Sequence, residues 1–224
     1  MLILRTMALK MSHVIKFRTV SGEAIILASA SPRRRDILRA IGLSFTVMPS
    51  QVEEPPYCGG SVADHARLLA EMKASDVAQR APGHLVIGAD TVVLVDNHIL
   101  EKPRTEQEAV QMLHRLGGRW HHVLTGVCLI RSDPNRRRSG CEVTRVKFAP
   151  LGLDEIRWYV STGEPMDKAG GYAIQGYGAL FIERIEGDYL NVVGLPLRLV
   201  YHLANELGVD LKGYLMPSED GEAA

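Results

Sequence analysis

Ser29, Ser31, Arg33 and Arg34 stand where a short apolar run, Ala24 to Ala28, meets a segment opening with Pro32. A helix starting there has free N–H groups and the positive end of its dipole, both of which favour an anion, and guanidinium forks add directed donors for phosphate. The group reads either as a phosphate site or as a solvated basic turn with serine as a plain cap. Asp90 lies within Leu85-Val86-Ile87-Gly88-Ala89-Asp90-Thr91-Val92-Val93. In so apolar a run its carboxylate must find a cation, a donor or a metal, unless it merely caps a turn at a strand break. Strand ends are where α/β folds place chemistry, and Thr91 follows with a hydroxyl for a substrate.

Other charges could serve the same site. Lys73 shares a helical stripe with Ala66, Ala70 and Val77, which turns it toward the protein; snorkelling along the surface is the alternative. Lys102 before Pro103 and Lys168 in a Gly-rich stretch are further candidates for phosphate contact, each weak alone. Glu53 or Glu54 could join Asp90 in holding a hard divalent cation through oxygen, although such an acidic pair is commonly a solvated loop. His121 and His122 make a poor metal pair, because neighbours on a strand point to opposite faces. Neither a GxxxxGK[ST] loop nor a GxGxxG opening a helix occurs, so the phosphate site is of another kind.

The elements that must position these residues alternate. Ala24 to Ala28 reads as a buried strand, followed by a helix capped by Ser31 with Ile37, Leu38 and Ile41 on one face and Gly42 ending it. Ser44 to Met48 alternates like a strand, and Ser61 caps a helix running to about Gln79. Leu85 to Val95 reads as a strand broken at Gly88. Thr105 and Glu108 have capping-box spacing and predict a helix over Glu106 to Leu116, stopped by Gly117-Gly118. Trp120 to Ile130 and Glu142 to Phe148 form a long hairpin whose polar connection carries Arg136, Arg137 and Arg138, read as solvent-facing. A short helix over Asp154 to Ser161, a Gly-rich loop from Gly163 to Gly178, a strand over Leu180 to Ile185 and a last helix with the stripe Leu195, Leu199, Leu203 and Leu207 complete the chain. The hairpin makes this a mixed α/β sheet with flanking helices.

At 224 residues with 46% hydrophobic content the chain has mass for one compact domain with a sizeable core. Residues 23–210 read as that domain, bilobed; 1–22 read as a flexible extension and 211–224 as a disordered acidic tail. The 26 Lys and Arg balance the 26 Asp and Glu, so the field of a strong nucleic-acid binder is missing and an anion must meet a local site. No apolar run is long enough to cross a bilayer. The 3 cysteines show no CxxC spacing, and an odd count disfavours a secreted disulfide framework, so a reducing cytoplasm is the simplest home.

Taken in order, Leu27-Ala28-Ser29-Ala30-Ser31-Pro32-Arg33-Arg34, Gly88-Ala89-Asp90-Thr91, Lys102-Pro103 and Glu164-Pro165-Met166-Asp167-Lys168-Ala169-Gly170-Gly171-Tyr172-Ala173-Ile174-Gln175-Gly176 resemble the Maf family of nucleoside triphosphate pyrophosphatases. The likeness spans about residues 24 to 209 and is greatest to the dTTP/UTP pyrophosphatase branch. It implies a mixed α/β fold of the inosine triphosphate pyrophosphatase type with two lobes around a cleft, and hydrolysis of a nucleoside triphosphate to monophosphate and pyrophosphate with magnesium or manganese. The resemblance assigns the general base to Asp90, base choice to Arg33, Thr91 and Gln175, and phosphate or metal binding to Ser29, Glu53, Lys73, Lys102 and Lys168; Arg34 joins the phosphate set. Gly171, Ala173 and Glu101 depart from the family's common residues without touching these groups. The family is also linked to septum formation, so a non-catalytic nucleotide-binding regulator of cell division is the rival reading, separated by turnover. A homodimer is the assembly kept in view, with neither membrane nor stable nucleic acid as partner.

Overall fold

The computed structural model describes residues 23–131 and 133–215. In chain order the elements are β1 (Ile25–Leu27), α1 (Pro32–Ala40), β2 (Thr46–Val47), α2 (Val62–Arg80), β3 (Leu85–Val95), β4 (His98–Leu100) and α3 (Glu106–Leu116). There follow β5 (Trp120–Arg131), β6 (Asp133–Phe148), α4 (Leu153–Ser161), β7 (Ile182–Glu186), α5 (Tyr189–Val193) and α6 (Leu197–Glu206). One mixed sheet of 7 strands runs β2-β1-β3-β5-β6-β7, with β4 on β3. β1 is parallel to β2 and β3; every other pair is antiparallel.

The continuous apolar run of β1 exists because both faces of the sheet are covered there. Ile25 and Leu27 pack under α1 and α6 with Ile37, Leu38, Val200 and Leu203, whereas Ile26 and Ala28 pack under α2 with Ala70, Ala74 and Val77. A separate cluster gathers α3 and α4 on Val93, Val95, Val123, Val146 and Phe148, at the other end of β3 and β5. The two lobes are therefore two helical groups on one long, twisted sheet. Along one edge of β3, β1 pairs only as far as Ile87 and β4 begins at Val93. Gly88 to Val92 thus have a strand neighbour on the β5 side alone, and the sheet carries a notch between the lobes.

Several local expectations change in three dimensions. β3 is unbroken at Gly88: a Cβ there would lie 2.4 Å from the Ala70 carbonyl oxygen, so glycine serves the close approach of α2 and not a strand break. The polar connection expected around residues 133–141 is strand, because β6 extends to pair with nearly the whole of β5. Arg136, Arg137 and Arg138 stay exposed, as expected, while Arg136 donates to the Leu207 carbonyl and the other two pair with Glu71 and Glu206, which ties the hairpin to α2 and α6. Ile41 is 41% exposed at the C-cap of α1 instead of continuing its buried face. The Gly163–Gly178 loop is wound into short 3₁₀ turns, and α5 precedes the last helix where no helix was expected. Leu211–Tyr214 forms another 3₁₀ turn, Leu211 is buried, and Leu215 bridges to Leu43, so the domain extends to residue 215. The remaining tail residues and the 1–22 extension lie outside the described residues. No described helix is long and apolar enough to cross a membrane.

Candidate functional site

The notch opens into a cleft of about 610 Å³. Its size suits a ligand larger than a lone phosphate. Asp90 and Thr91 both line it, although adjacent strand residues point to opposite faces, because the cleft lies at the open edge of β3, where no strand separates the two faces.

On the α2 side, Asp90 lies opposite Gly126 in the β3–β5 register. Gly126 has no side chain to hold α2 away, and a Cβ there would sit 2.1 Å from the Ala66 carbonyl oxygen. The helix therefore rides directly on the strands and lowers Lys73, on its expected inward stripe, onto the carboxylate. Lys73 Nζ donates to Asp90 Oδ1 at 2.6 Å and lies 2.8 Å from Glu54 Oε1, with only 14% of its side chain exposed. Of the two acids the sequence offers beside Asp90, Glu54 lines the cleft, whereas Glu53, to which the resemblance points, is exposed and does not line it. Among the described residues no group of three or more acidic, histidine or cysteine side chains comes together as a metal cage.

On the other face, the turn from β1 into α1 is organised by Arg34. Its guanidinium donates to the Gly194 carbonyl oxygen at 2.8 Å, to Ser29 Oγ at 3.0 Å and to Thr91 Oγ1 at 3.1 Å. Burial holds its pKa below the ordinary arginine value, and the charge of Asp90 partly offsets that. Ser29 is buried outside the cleft lining, and its hydroxyl accepts from both the Ser31 N–H and Arg34, which helps orient the guanidinium. Ser31 occupies the N-cap of α1 without a side-chain cap bond and lines the cleft itself.

Arg33 and Lys168 meet on Asp167, a residue the sequence left unassigned: Arg33 Nη1 lies 3.2 Å from Asp167 Oδ2, and Lys168 Nζ donates to Asp167 Oδ1 and, at 2.6 Å, to the Glu164 carbonyl. Burial lifts the Asp167 carboxyl, but the Lys168 hydrogen bond and the charges of Arg33 and Lys168 outweigh it and leave the pKa below the usual range. Lys102 and Gln175 complete the lining, both solvent-accessible, Gln175 at the head of the last 3₁₀ turn before β7.

Two anchors hold the loop that carries Lys168 and Gln175. Tyr172 O–H pairs with Nε2 of fully buried His121 at 2.7 Å; burial pushes the His121 pKa down to about 3, so the ring is neutral at working pH. Glu164 accepts from Tyr159 O–H at 2.8 Å and from the Gly178 and Tyr177 N–H groups at 2.9 and 3.1 Å. Its spacing from these donors in sequence offered no signal beyond an acid in a Gly-rich stretch. Glu164→Ala strips three donors of their partner and is expected to destabilise the fold by about 1–3 kcal/mol. A thermal melt unchanged from the parent would show that the loop is held by something else.

A family model described as Maf-like protein matches residues 24–207. The dTTP/UTP pyrophosphatase of Symbiobacterium thermophilum is 49% identical over 186 residues, 83% of this chain and 95% of that protein. The dTTP/UTP pyrophosphatase of Thermococcus onnurineus is 52% identical over 186 residues, covering 82% of this chain and 97% of its own. Among solved structures, the Staphylococcus aureus Ham1 protein is a distant likeness, 13% identical with a TM-score of 0.43, covering 86% of this chain and 94% of its own.

Proposed function

This chain belongs to the Maf-like protein family, and on that premise we propose that it hydrolyses dTTP and UTP to the nucleoside monophosphate and pyrophosphate. The carrying observation is the junction of Asp90, Glu54 and Lys73 in a cleft that also presents Arg33, Lys102 and Lys168. Those cations offset the charge of a triphosphate, and Arg34, held rigid by its three acceptors, contributes field without swinging into the ligand. Because Oδ1 of Asp90 is engaged by Lys73, Oδ2 is left to accept a proton from water. The water oxygen bonds to the α-phosphorus, the α–β bridging oxygen leaves with pyrophosphate, and the water proton passes to the carboxylate.

A divalent cation, magnesium or manganese, fits the donor set. Asp90 and Glu54 are two hard carboxylates that already share the Lys73 ammonium, so the ion would take the carboxylate oxygens that Lys73 leaves open, and two is the number such an ion uses when phosphate oxygens and water fill its other positions. Bound there, it would neutralise phosphate charge and polarise a phosphoryl oxygen. Gln175 at the rim offers both a donor and an acceptor, as does the pairing edge of uracil or thymine. All these side chains come from a single chain, so the reading does not require the homodimer. The reading also takes a reducing cytoplasm as the setting, with nucleotide rather than nucleic acid as partner.

Product analysis tests the proposal. Purified protein with magnesium should release pyrophosphate and the monophosphate from dTTP and UTP, and EDTA should suppress it. Release of orthophosphate and a nucleoside diphosphate would overturn the assignment; binding of dTTP without turnover would favour the non-catalytic regulator of cell division.

A further inference from the structure

Thr125 lies outside the cleft lining and is fully buried, directly opposite Thr91 in the β3–β5 register. We infer that Thr125 is a positioning residue that makes Thr91 a pure hydrogen-bond acceptor, and that this polarity lets the cleft tell uracil and thymine from cytosine. The inference rests on the pyrimidine triphosphate reading above and names how that site would recognise its base.

The argument is a count of protons. A threonine hydroxyl has one proton to give and two lone pairs. Thr125 Oγ1 lies 3.0 Å from the Asn191 carbonyl oxygen, which can only accept, so Thr125 spends its proton there. Arg34 Nη2 lies 3.1 Å from Thr91 Oγ1 and can only donate, so Thr91 accepts from it. The two hydroxyl oxygens are 2.9 Å apart, and with the Thr125 proton already committed, Thr91 must be the donor between them. Donation therefore runs one way, from Arg34 through Thr91 and Thr125 to the Asn191 carbonyl. Both ends are held: Arg34 by Gly194 and Ser29, and buried Asn191 by its side-chain amide on the Val123 carbonyl and Thr144 Oγ1, each at 2.9 Å.

Thr91 is left with one lone pair and no proton for a ligand in the cleft. Phosphate oxygens are acceptors at neutral pH, so this oxygen is mismatched to the triphosphate and suits a donor on the nucleoside half. Uracil and thymine carry an imide N3–H; cytosine has a bare acceptor nitrogen at the same ring position. A site that leaves two acceptors facing each other rejects the analogue lacking the donor.

The test measures kcat/KM for UTP, CTP and the triphosphate of 2-pyrimidinone nucleoside, whose N3 also lacks a proton, on the parent and on Thr125→Val and Thr125→Ser, with a thermal melt of each. The parent is expected to favour UTP over both other nucleotides. Thr125→Val removes the acceptor for the Thr91 proton, which can then turn to a bare ring nitrogen, and the UTP:CTP ratio is expected to fall by about 10-fold. Thr125→Ser restores the relay and the ratio. An unchanged ratio in a folded Thr125→Val, or a serine variant behaving like valine, would overturn the inference. So would a parent enzyme that turns over the 2-pyrimidinone nucleotide as well as UTP, the outcome if Thr91 serves the sugar; that arm needs no variant to fold. Absence of UTP turnover by the parent would overturn the underlying function and this inference with it, whereas UTP turnover with unchanged selectivity overturns this inference alone.

Discussion

Asp90→Asn is expected to lower turnover of dTTP and UTP by on the order of 100-fold or more while the thermal melt stays close to that of the parent. Asparagine keeps the shape and an oxygen that can still accept from Lys73, so the 2.6 Å contact survives in form. What disappears is the negative charge that accepts a proton or meets a cation, and Lys73 is left with Glu54 as its remaining ionic partner. The effect should fall on kcat more than on KM, because the cleft cations proposed to hold the phosphates, Arg33, Lys102 and Lys168, are untouched. A variant turning over at near-parent rate would remove Asp90 from the chemistry and reduce it to a tether for Lys73.

Gly126→Ala should destabilise the fold by about 3 kcal/mol or more, a large share of a typical domain's stability. The added Cβ would meet the Ala66 carbonyl oxygen at 2.1 Å, its carbon at 2.3 Å and the Arg67 nitrogen at 2.6 Å. All three are backbone atoms, so no side chain can turn aside and α2 must rise as a body. Lifting α2 also draws Lys73 away from Asp90, which couples the stability loss to activity. A melting temperature equal to the parent's would show that α2 does not ride on β5 at this distance.

Where local rules act alone, the sequence was sufficient. Thr105, Glu108 and Gly117 bound α3 at Glu106 and Leu116 because caps and stops are interactions within a few residues, and Thr105 Oγ1 does accept from the Glu108 N–H. The inward stripe through Ala66, Ala70 and Val77 likewise carried Lys73 into the protein. Gly88 reads in sequence as a strand break, because a missing side chain looks the same whether it serves a turn or an approaching helix. The start of β6 reads in sequence as a polar connection, because pairing with β5, not the propensity of arginine and proline, keeps it extended.

The chemistry-bearing residue types, their order along the chain and the family they signal were determined by the sequence alone, since motifs are local and Asp90 in an apolar strand demands a partner wherever it sits. Which neighbour does which task was decided only by tertiary structure. Arg33 and Arg34 are equivalent in sequence, yet one meets Asp167 at the cleft mouth and the other is buried on Ser29, Thr91 and Gly194. Glu54 rather than Glu53 reaches Lys73, and Thr125 and Asn191 acquire their roles from partners far away in the chain. The physical reason is that a hydrogen bond's direction and a carboxylate's cation are fixed by distances of about 3 Å between atoms. Those distances exist only once α2, β3 and β5 have packed around the notch in the sheet.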